Sequence, residues 1–205
     1  RFEADLGQQI LDDVVGEPGA MPLLQHALWM LWKRRHGFWL KSEEYQSFGG
    51  VRQAIASTAE DAYASCSEFE QARIRDIFLR LTRLDENNEG RDTRRRVPLN
   101  DLIHAGRDAA SNAALLDTLA NARLIVKTFN EDKAEIEVAH EALIRHWERL
   151  RAWLNEDRDN LRLRESVSED AREWENSKRD DSLLNHRGAR LELALAMSAQ
   201  PNYLL

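Results

Sequence analysis

A short β-hairpin pattern among helical segments constrains the fold of this chain more than any other feature of its sequence. The run RLIVKTF is typical of a strand, NEDK of a turn, and AEIEVA alternates apolar and polar residues. In the alternating run, Ile136 and Val138 lie on one side of the strand and the neighbouring glutamates on the other. Helical patterns precede and follow this hairpin. The sequence therefore predicts a mainly α protein with one small β-hairpin.

The segments before the hairpin follow the order of elements in a winged helix. Ser67 and Glu70 form a capping-box pattern at the start of one helix. A short strand follows in RRRVPL, where Pro98 is tolerable only at the edge of a sheet. Two short helices come next, with Asn100 and Ser111 as their expected N-caps. Helix, strand, helix, helix and hairpin is the layout of a winged helix. The alternative is a three-helix bundle with an accessory hairpin.

Amphipathic helix patterns account for the rest of the chain. Before the capping box they are interrupted by GEPG and by a glycine pair, and after the hairpin they are interrupted at NEDRDN and KRDDS. We therefore divide the chain into an all-helical unit (1–66), a winged-helix unit (67–145) and a C-terminal helical segment (146–205). The N-terminal helical bundle, the winged helix and the long C-terminal helices together give the predicted fold.

Apolar spacing also predicts which side chains are buried. The first helix is expected to bury one face, made of Ile10, Leu11, Val14 and Val15. The helix after His140 carries a stripe of Leu143, Trp147, Leu150 and Leu154. We expect Trp147 to be buried against its stripe neighbours and the hairpin. Trp29 and Trp32 are expected to pack in the core and between units rather than to form a ligand site.

Composition limits the classes of partner. The chain has 205 residues with a formal net charge of -7, which argues against a protein built mainly to bind nucleic acid or an anionic membrane. Its single cysteine, Cys66, favours a reducing, cytoplasmic compartment. No apolar run approaches the roughly 20 residues that span a bilayer. The chain opens on a helix-like sequence without Met, so we expect it to be a piece of a longer protein.

The sequence contains no recognisable active site. It lacks the phosphate-binding loop G-x-x-x-x-G-K-[ST] and the nucleophile motif G-x-S-x-G. In HEALIRH, His140 and His146 are six residues apart, roughly 240° around a helix, so they cannot share a metal ion. We therefore predict no catalytic residue, no metal site and no enzymatic activity for this chain alone.

DNA binding is the obvious alternative for a winged helix, and the charges argue against it. The expected recognition helix contains Asp117 and has Arg123 only at its end, while the wing NEDKAE is acidic. Groove-reading helices normally present Arg, Lys, Asn or Gln with phosphate-binding lysines. The run Arg94–Arg96 is the best evidence for DNA, but Asp92 and Glu89 lie nearby in the sequence.

Five stretches of the sequence match the pattern of one known family, and they are EPGAMPLLQHALWMLW, GGVRQAIASTAE, DTRRRVP, VAHEALIRHWERLRAWLNEDRDNLRLR and LLNHRGARLELAL. Together they resemble the bacterial STAND NTPases that often carry WD-repeat propellers. The resemblance covers roughly residues 8–195, and its most specific part is the block 138–164. It implies a P-loop nucleotide domain before this chain, then the helical lid, the winged helix and a repeat sensor.

The resemblance also implies four nucleotide-sensing residues. In the related NB-ARC proteins, a glycine–proline turn of the lid packs on the adenine, and the histidine of an M-H-D motif reaches the β-phosphate of ADP. The turn matches Gly19 and Pro22, with one residue more between them than in G-x-P, and the M-H-D motif matches Ala139-His140-Glu141. Structural roles are the alternatives. His140 would then cap its own helix or bond within the core, and Pro22 would only begin a helix.

The implied function is regulatory. In the parent protein, the lid and the winged helix would clamp the nucleotide domain around ADP, with ATP and magnesium as its other ligands. Exchange of ADP for ATP, together with a signal from the sensor, would separate the winged helix from the nucleotide domain and expose a surface for oligomerisation. The alternatives are a DNA-binding regulator and a helical interaction scaffold without a nucleotide role. A P-loop upstream in the gene would decide between them.

Overall fold

The computed structural model describes residues 1–15, 20–85, 92–103, 109–130 and 133–199. Most of these residues are helical, and the only sheets among them are small and antiparallel, so the mainly α prediction is confirmed. The helices are α1 (Leu6–Val14), α2 (Ala20–Lys33), α3 (Ser42–Ser47), α4 (Gly50–Ala64), α5 (Glu68–Arg80), α6 (Leu99–Ile103), α7 (Ala109–Asn121), α8 (Glu141–His146), α9 (Glu148–Glu156), α10 (Arg158–Asn176) and α11 (Ala189–Ser198).

The predicted hairpin forms two strands of a three-stranded sheet, with its second strand at the centre. The strands are β1 (Thr82–Arg83), β2 (Thr93–Arg94), β3 (Val97–Pro98), β4 (Ile125–Asn130) and β5 (Lys133–Val138). β4 and β5 pair antiparallel, and β3 pairs with the other side of β5, so Pro98 lies on an edge strand as predicted. Ile136 and Val138 are both 0% exposed. The alternation of the sequence therefore identified the buried face of β5 correctly.

Helix starts were predicted with mixed success. Ser67 accepts a hydrogen bond from the Glu70 backbone N–H, and the Glu70 carboxylate accepts one in return, so the capping box is confirmed. The predicted caps at Asn100 and Ser111 are wrong. α6 already begins at Leu99, directly after β3, and α7 begins at Ala109. Both polar residues therefore lie in a first helical turn rather than before it.

The N-terminal helices pack around α4. Buried residues of α2 and α4 face each other, and they are Leu23, Ala27, Leu31, Val51, Ile55 and Ala59. The predicted face of α1 is wrong in part, because Leu11 is 59% and Val15 is 74% exposed. The helix starts at Leu6, so its inward face follows the spacing of buried Leu6 and Ile10 and partly buried Val14. Trp32, expected in the core, is 55% exposed.

The chain bends at Trp147 instead of continuing as one helix. The four stripe residues are buried as predicted, but Trp147 has extended backbone angles (φ −80°, ψ 100°) between α8 and α9. The bend lets the indole enter an aromatic cluster, which consists of Tyr63, Phe78, Trp147 and Trp153. The expected turn at NEDRDN is confirmed at Asp157, between α9 and α10.

The long helix α10 is held by buried arginines rather than by an apolar stripe alone. Arg158 pairs with Asp92 at 3.0 Å, and Arg164 donates to the Leu79 carbonyl at 3.2 Å. Both arginines are buried. Both contacts join the predicted C-terminal segment to the unit before it. The boundaries of the three predicted units stay predictions.

Candidate functional site

His140 lies where β5 gives way to α8, as the sequence predicted. It is the N-cap of α8, and its Nδ1 accepts a hydrogen bond from the Ala142 backbone N–H at 3.1 Å. A ring nitrogen that accepts from an N–H carries no proton itself, so the proton of the neutral ring is on Nε2. The side chain is half-buried. His140 therefore has a capping role, with a fixed tautomer whose N–H donor is Nε2.

Backbone contacts hold this junction against the hairpin. The Ala139 N–H donates to the Leu124 carbonyl at 2.9 Å, which extends the pairing of β4 and β5 by one position. The Leu143 N–H donates to the His140 carbonyl at 3.0 Å and starts the helix. The position of His140 is therefore determined by the sheet on one side and by α8 on the other.

Glu141 is directed along its own helix. Its carboxylate pairs with Arg145, one turn further on, at 3.2 Å. A carboxylate in the first turn of a helix and a cation in the last both interact favourably with the helix dipole. This pair stabilises α8.

Of the predicted glycine–proline turn, only Pro22 can be placed. Gly19 lies outside the described residues. Pro22 is the third residue of α2 and is exposed, in the first turn, where its missing N–H costs no hydrogen bond. Pro22, His26, Trp29 and Lys33 follow each other at spacings of four and three along α2, so they share one helix face.

His26 on this face is a buried histidine that the sequence analysis did not single out. Its Nε2 is 2.9 Å from the Thr58 hydroxyl oxygen, and that hydroxyl donates to the Ala54 carbonyl at 3.0 Å. The histidine is therefore the donor. Desolvation by burial, assisted by the positive charge of Arg123, lowers the pKa of His26 to about 4. His26 is neutral at pH 7.

This pKa predicts a loss of stability in acid. A histidine in the unfolded chain titrates near pH 6.5, so on acidification the unfolded chain binds a proton before the folded chain does. The stability that His26 contributes above pH 6.5 is therefore lost as the pH falls toward 4. Between pH 7 and 4.5, the unfolding free energy of the wild type should fall by roughly 2–3 kcal/mol more than that of His26→Gln. Urea titrations at both pH values measure the difference. Equal losses in the two proteins would contradict it.

A carboxylate on α4 connects the N-terminal helices to the end of α8. Glu60 accepts from the Trp147 indole N–H at 2.9 Å and from the Arg149 Nε–H at 3.0 Å. The hydrogen bond from Arg149 is the main reason why the pKa of Glu60 is lowered. The Arg149 guanidinium also lies 4.3 Å from the Tyr63 ring centroid. The role of Glu60 could not be predicted from the sequence, because its partners are far from it in the sequence.

The surface beside Glu60 forms an open groove between α4 and α9, with a volume of about 680 Å³. Its lining includes Glu60, Trp147 and Arg149, whose polar groups are hydrogen-bonded to each other, and the ring of Trp153. Within the described part of the chain, no cluster of three or more His, Cys, Asp or Glu side chains could hold a metal ion.

The basic run before β3 is directed toward acidic neighbours. Arg94 and Arg96 lie 3.8 Å and 3.0 Å from the carboxylate of Glu137 on β5. Lys127 on β4 pairs with Asp117 on α7. These pairings support the expectation that the basic run belongs to a solvated, charge-balanced surface. Glu89, named with this run in the sequence analysis, lies outside the described residues.

Comparison with known proteins identifies the family. Neither the search of curated proteins nor that of solved structures found a match. Among the described residues, no helix has both the length and the apolar character needed to cross a membrane. The family described as Novel STAND NTPase 1 (nSTAND1) matches residues 1–182, from before α1 to just beyond α10. The chain therefore belongs to the novel STAND NTPase 1 family.

Proposed function

We propose that this chain is the regulatory region of a STAND signalling ATPase, which keeps an upstream nucleotide domain in its ADP-bound off state and opens on nucleotide exchange. One observation carries the proposal: the sheet and α8 hold His140 in a fixed tautomer, with its proton on Nε2. A fixed N–H donor is the group that a phosphate oxygen accepts from, and a hydrogen bond to a charged group contributes about 1.5–3 kcal/mol.

The order of elements supports a winged helix between the lid and the C-terminal helices. α5, β3, α6, α7 and the β4–β5 hairpin follow each other in that order, and β3 pairs with β5 rather than β4. We propose that the lid, residues 1–66, and this winged helix, residues 67–145, close together over the nucleotide. The Glu60 carboxylate would resist their separation, because opening exchanges its bonds to Trp147 and Arg149 for water.

The remaining parts of the proposal follow from the family. An upstream P-loop domain would provide most of the binding energy for ADP, ATP and magnesium, and a downstream repeat sensor, such as WD repeats, would receive the signal. The open state would form an oligomer in a bacterial cytoplasm. Pro22, with Gly19, would contact the adenine. This chain would have no catalytic residue of its own.

Calorimetry with and without the upstream sequence tests whether the upstream domain, rather than this chain, provides nucleotide binding and hydrolysis. The chain alone should hydrolyse no ATP and should bind ADP more weakly than micromolar, whereas the protein with its upstream sequence should bind ADP tightly. The physical reason is that the P-loop backbone and its lysine make most of the phosphate contacts. Micromolar binding by the chain alone, turnover by the chain alone, or a gene without a P-loop would contradict the proposal.

A mobility-shift assay separates this function from a DNA-binding regulator. Since Arg94, Arg96 and Lys127 each lie within salt-bridge distance of a carboxylate, duplex DNA should not bind at physiological salt. Non-specific binding of DNA typically has a Kd of about 10⁻⁴–10⁻⁶ M. Sequence-specific binding tighter than about 1 μM would favour the regulator and contradict the switch.

A further inference from the structure

Arg123 occupies a backbone conformation that normally selects glycine. It follows α7 with φ 61°, and the two hydrogen bonds there, Arg123 N–H to Ala120 O and Leu124 N–H to Leu119 O, are those of a Schellman motif. Glycine is usual at this position because the Cβ of a side chain makes the left-handed region unfavourable. Residues in strained backbone conformations cluster at functional sites.

The hairpin register brings Arg123 to the candidate site. Ile125 pairs with Val138, and the Ala139 N–H donates to the Leu124 carbonyl. Arg123 comes two residues before β4 and His140 two residues after β5, so both residues lie at the same end of the hairpin.

The Arg123 side chain also reaches the lid. Its guanidinium carbon lies 5.0 Å from the ring centroid of Trp29, and the Lys33 ammonium lies 3.9 Å from the same centroid. Two cations from different segments thus meet at one ring, on the α2 face that also carries Pro22. His26, beside Trp29, is kept neutral and adds no third charge. An anion bound near this ring would be attracted by both cations.

We propose that Arg123 is a second phosphate-binding residue beside His140, with the nucleotide's phosphate groups as its ligand. This inference rests on the function proposed above, since it assigns a further contact to the same site. A guanidinium is permanently charged and presents its donors in a planar fork that matches two phosphate oxygens. The left-handed backbone conformation of Arg123 then serves to direct its guanidinium from the end of α7 toward the lid.

The test uses the protein with its upstream sequence and measures release of fluorescently labelled ADP. Arg123→Gln and Arg123→Gly should release ADP about tenfold faster than the wild type, the effect of about 1.4 kcal/mol. Arg35→Gln is the matched control, because Arg35 stacks on Trp32 at 4.3 Å in the same type of contact. Its release rate should be unchanged.

A second readout separates phosphate binding from packing. Without nucleotide, Arg123→Gly should melt at the same or a higher temperature than the wild type, because glycine relieves the strain at φ 61°. A lowered melting temperature with unchanged ADP release would show that Arg123 only pins the hairpin to Trp29. Inorganic phosphate should not raise the melting temperature of the wild type. A rise that is lost in Arg123→Gln would assign the residue to free phosphate and overturn the nucleotide proposal.

His140→Ala in the same assay distinguishes this inference from the proposed function. Faster release from His140→Ala with normal release from both Arg123 variants would overturn the inference and leave the function standing. Normal release from all three variants would overturn both. Faster release from the Arg123 variants alone would support Arg123 as the phosphate ligand and remove that role from His140.

Discussion

Trp147→Ala should lower the free energy of unfolding by about 3–5 kcal/mol, the range for truncating large aromatic side chains in cores. Trp147 is 2% exposed, and its ring centroid lies 5.2 Å from Phe78 and 5.3 Å from Trp153 in edge-to-face geometry. Its indole N–H also donates to Glu60. The truncation therefore leaves a cavity where α4, α5 and α9 meet and removes one bond from a partly buried carboxylate.

Urea denaturation followed by circular dichroism measures this loss, and Trp32→Ala is the matched control. Trp32 is 55% exposed and its main partner is Arg35, so its truncation should cost less than about 1 kcal/mol. Equal losses in the two variants, or a loss below about 1 kcal/mol for Trp147→Ala, would show that the aromatic cluster is not a centre of stability.

Local patterns explain why the hairpin and the capping box could be predicted from sequence. Alternation determines which face of β5 is buried, and Ser67 and Glu70 are only three residues apart. The bend at Trp147 could not be predicted in this way. The residues around it have helical spacing, and the bend is stabilised by Phe78 and Glu60, which are distant in the sequence.

At the candidate site, too, features set by local sequence patterns could be predicted, and features set by contacts between distant residues could not. The position of His140 between a strand and a helix was evident from the change of hydrophobic period. The approach of Arg123 to Trp29 was not, because it depends on how the end of α7 packs against α2. Buried Arg158 and Arg164 were also missed, since a charged residue in an exposed-looking pattern is buried only when a distant partner meets it.

The central claim is that His140 senses the nucleotide, and the second large effect is expected there. In the protein with its upstream sequence, His140→Ala should accelerate ADP release roughly 10- to 150-fold, because a hydrogen bond to a charged phosphate contributes about 1.5–3 kcal/mol and 1.4 kcal/mol is tenfold. A bond made only in the closed state biases the switch by its full amount. The variant should therefore also shift toward the open, oligomer-forming state.

The capping role of His140 requires its own control. Alanine also removes the bond from the Ala142 N–H, and losing an N-cap costs about 0.5–2 kcal/mol of stability. Asparagine is a strong N-cap with a shorter reach, so His140→Asn should keep α8 stable while still losing the phosphate contact. Melting temperatures of both variants without nucleotide separate the two roles.

ADP release from His140→Asn, measured beside the wild type, is the most direct test of the account. We expect a melting temperature close to that of the wild type without nucleotide, together with ADP release accelerated at least about tenfold. Wild-type release from this variant, with faster release only from the destabilised His140→Ala protein, would show that His140 caps a helix and does not sense the nucleotide.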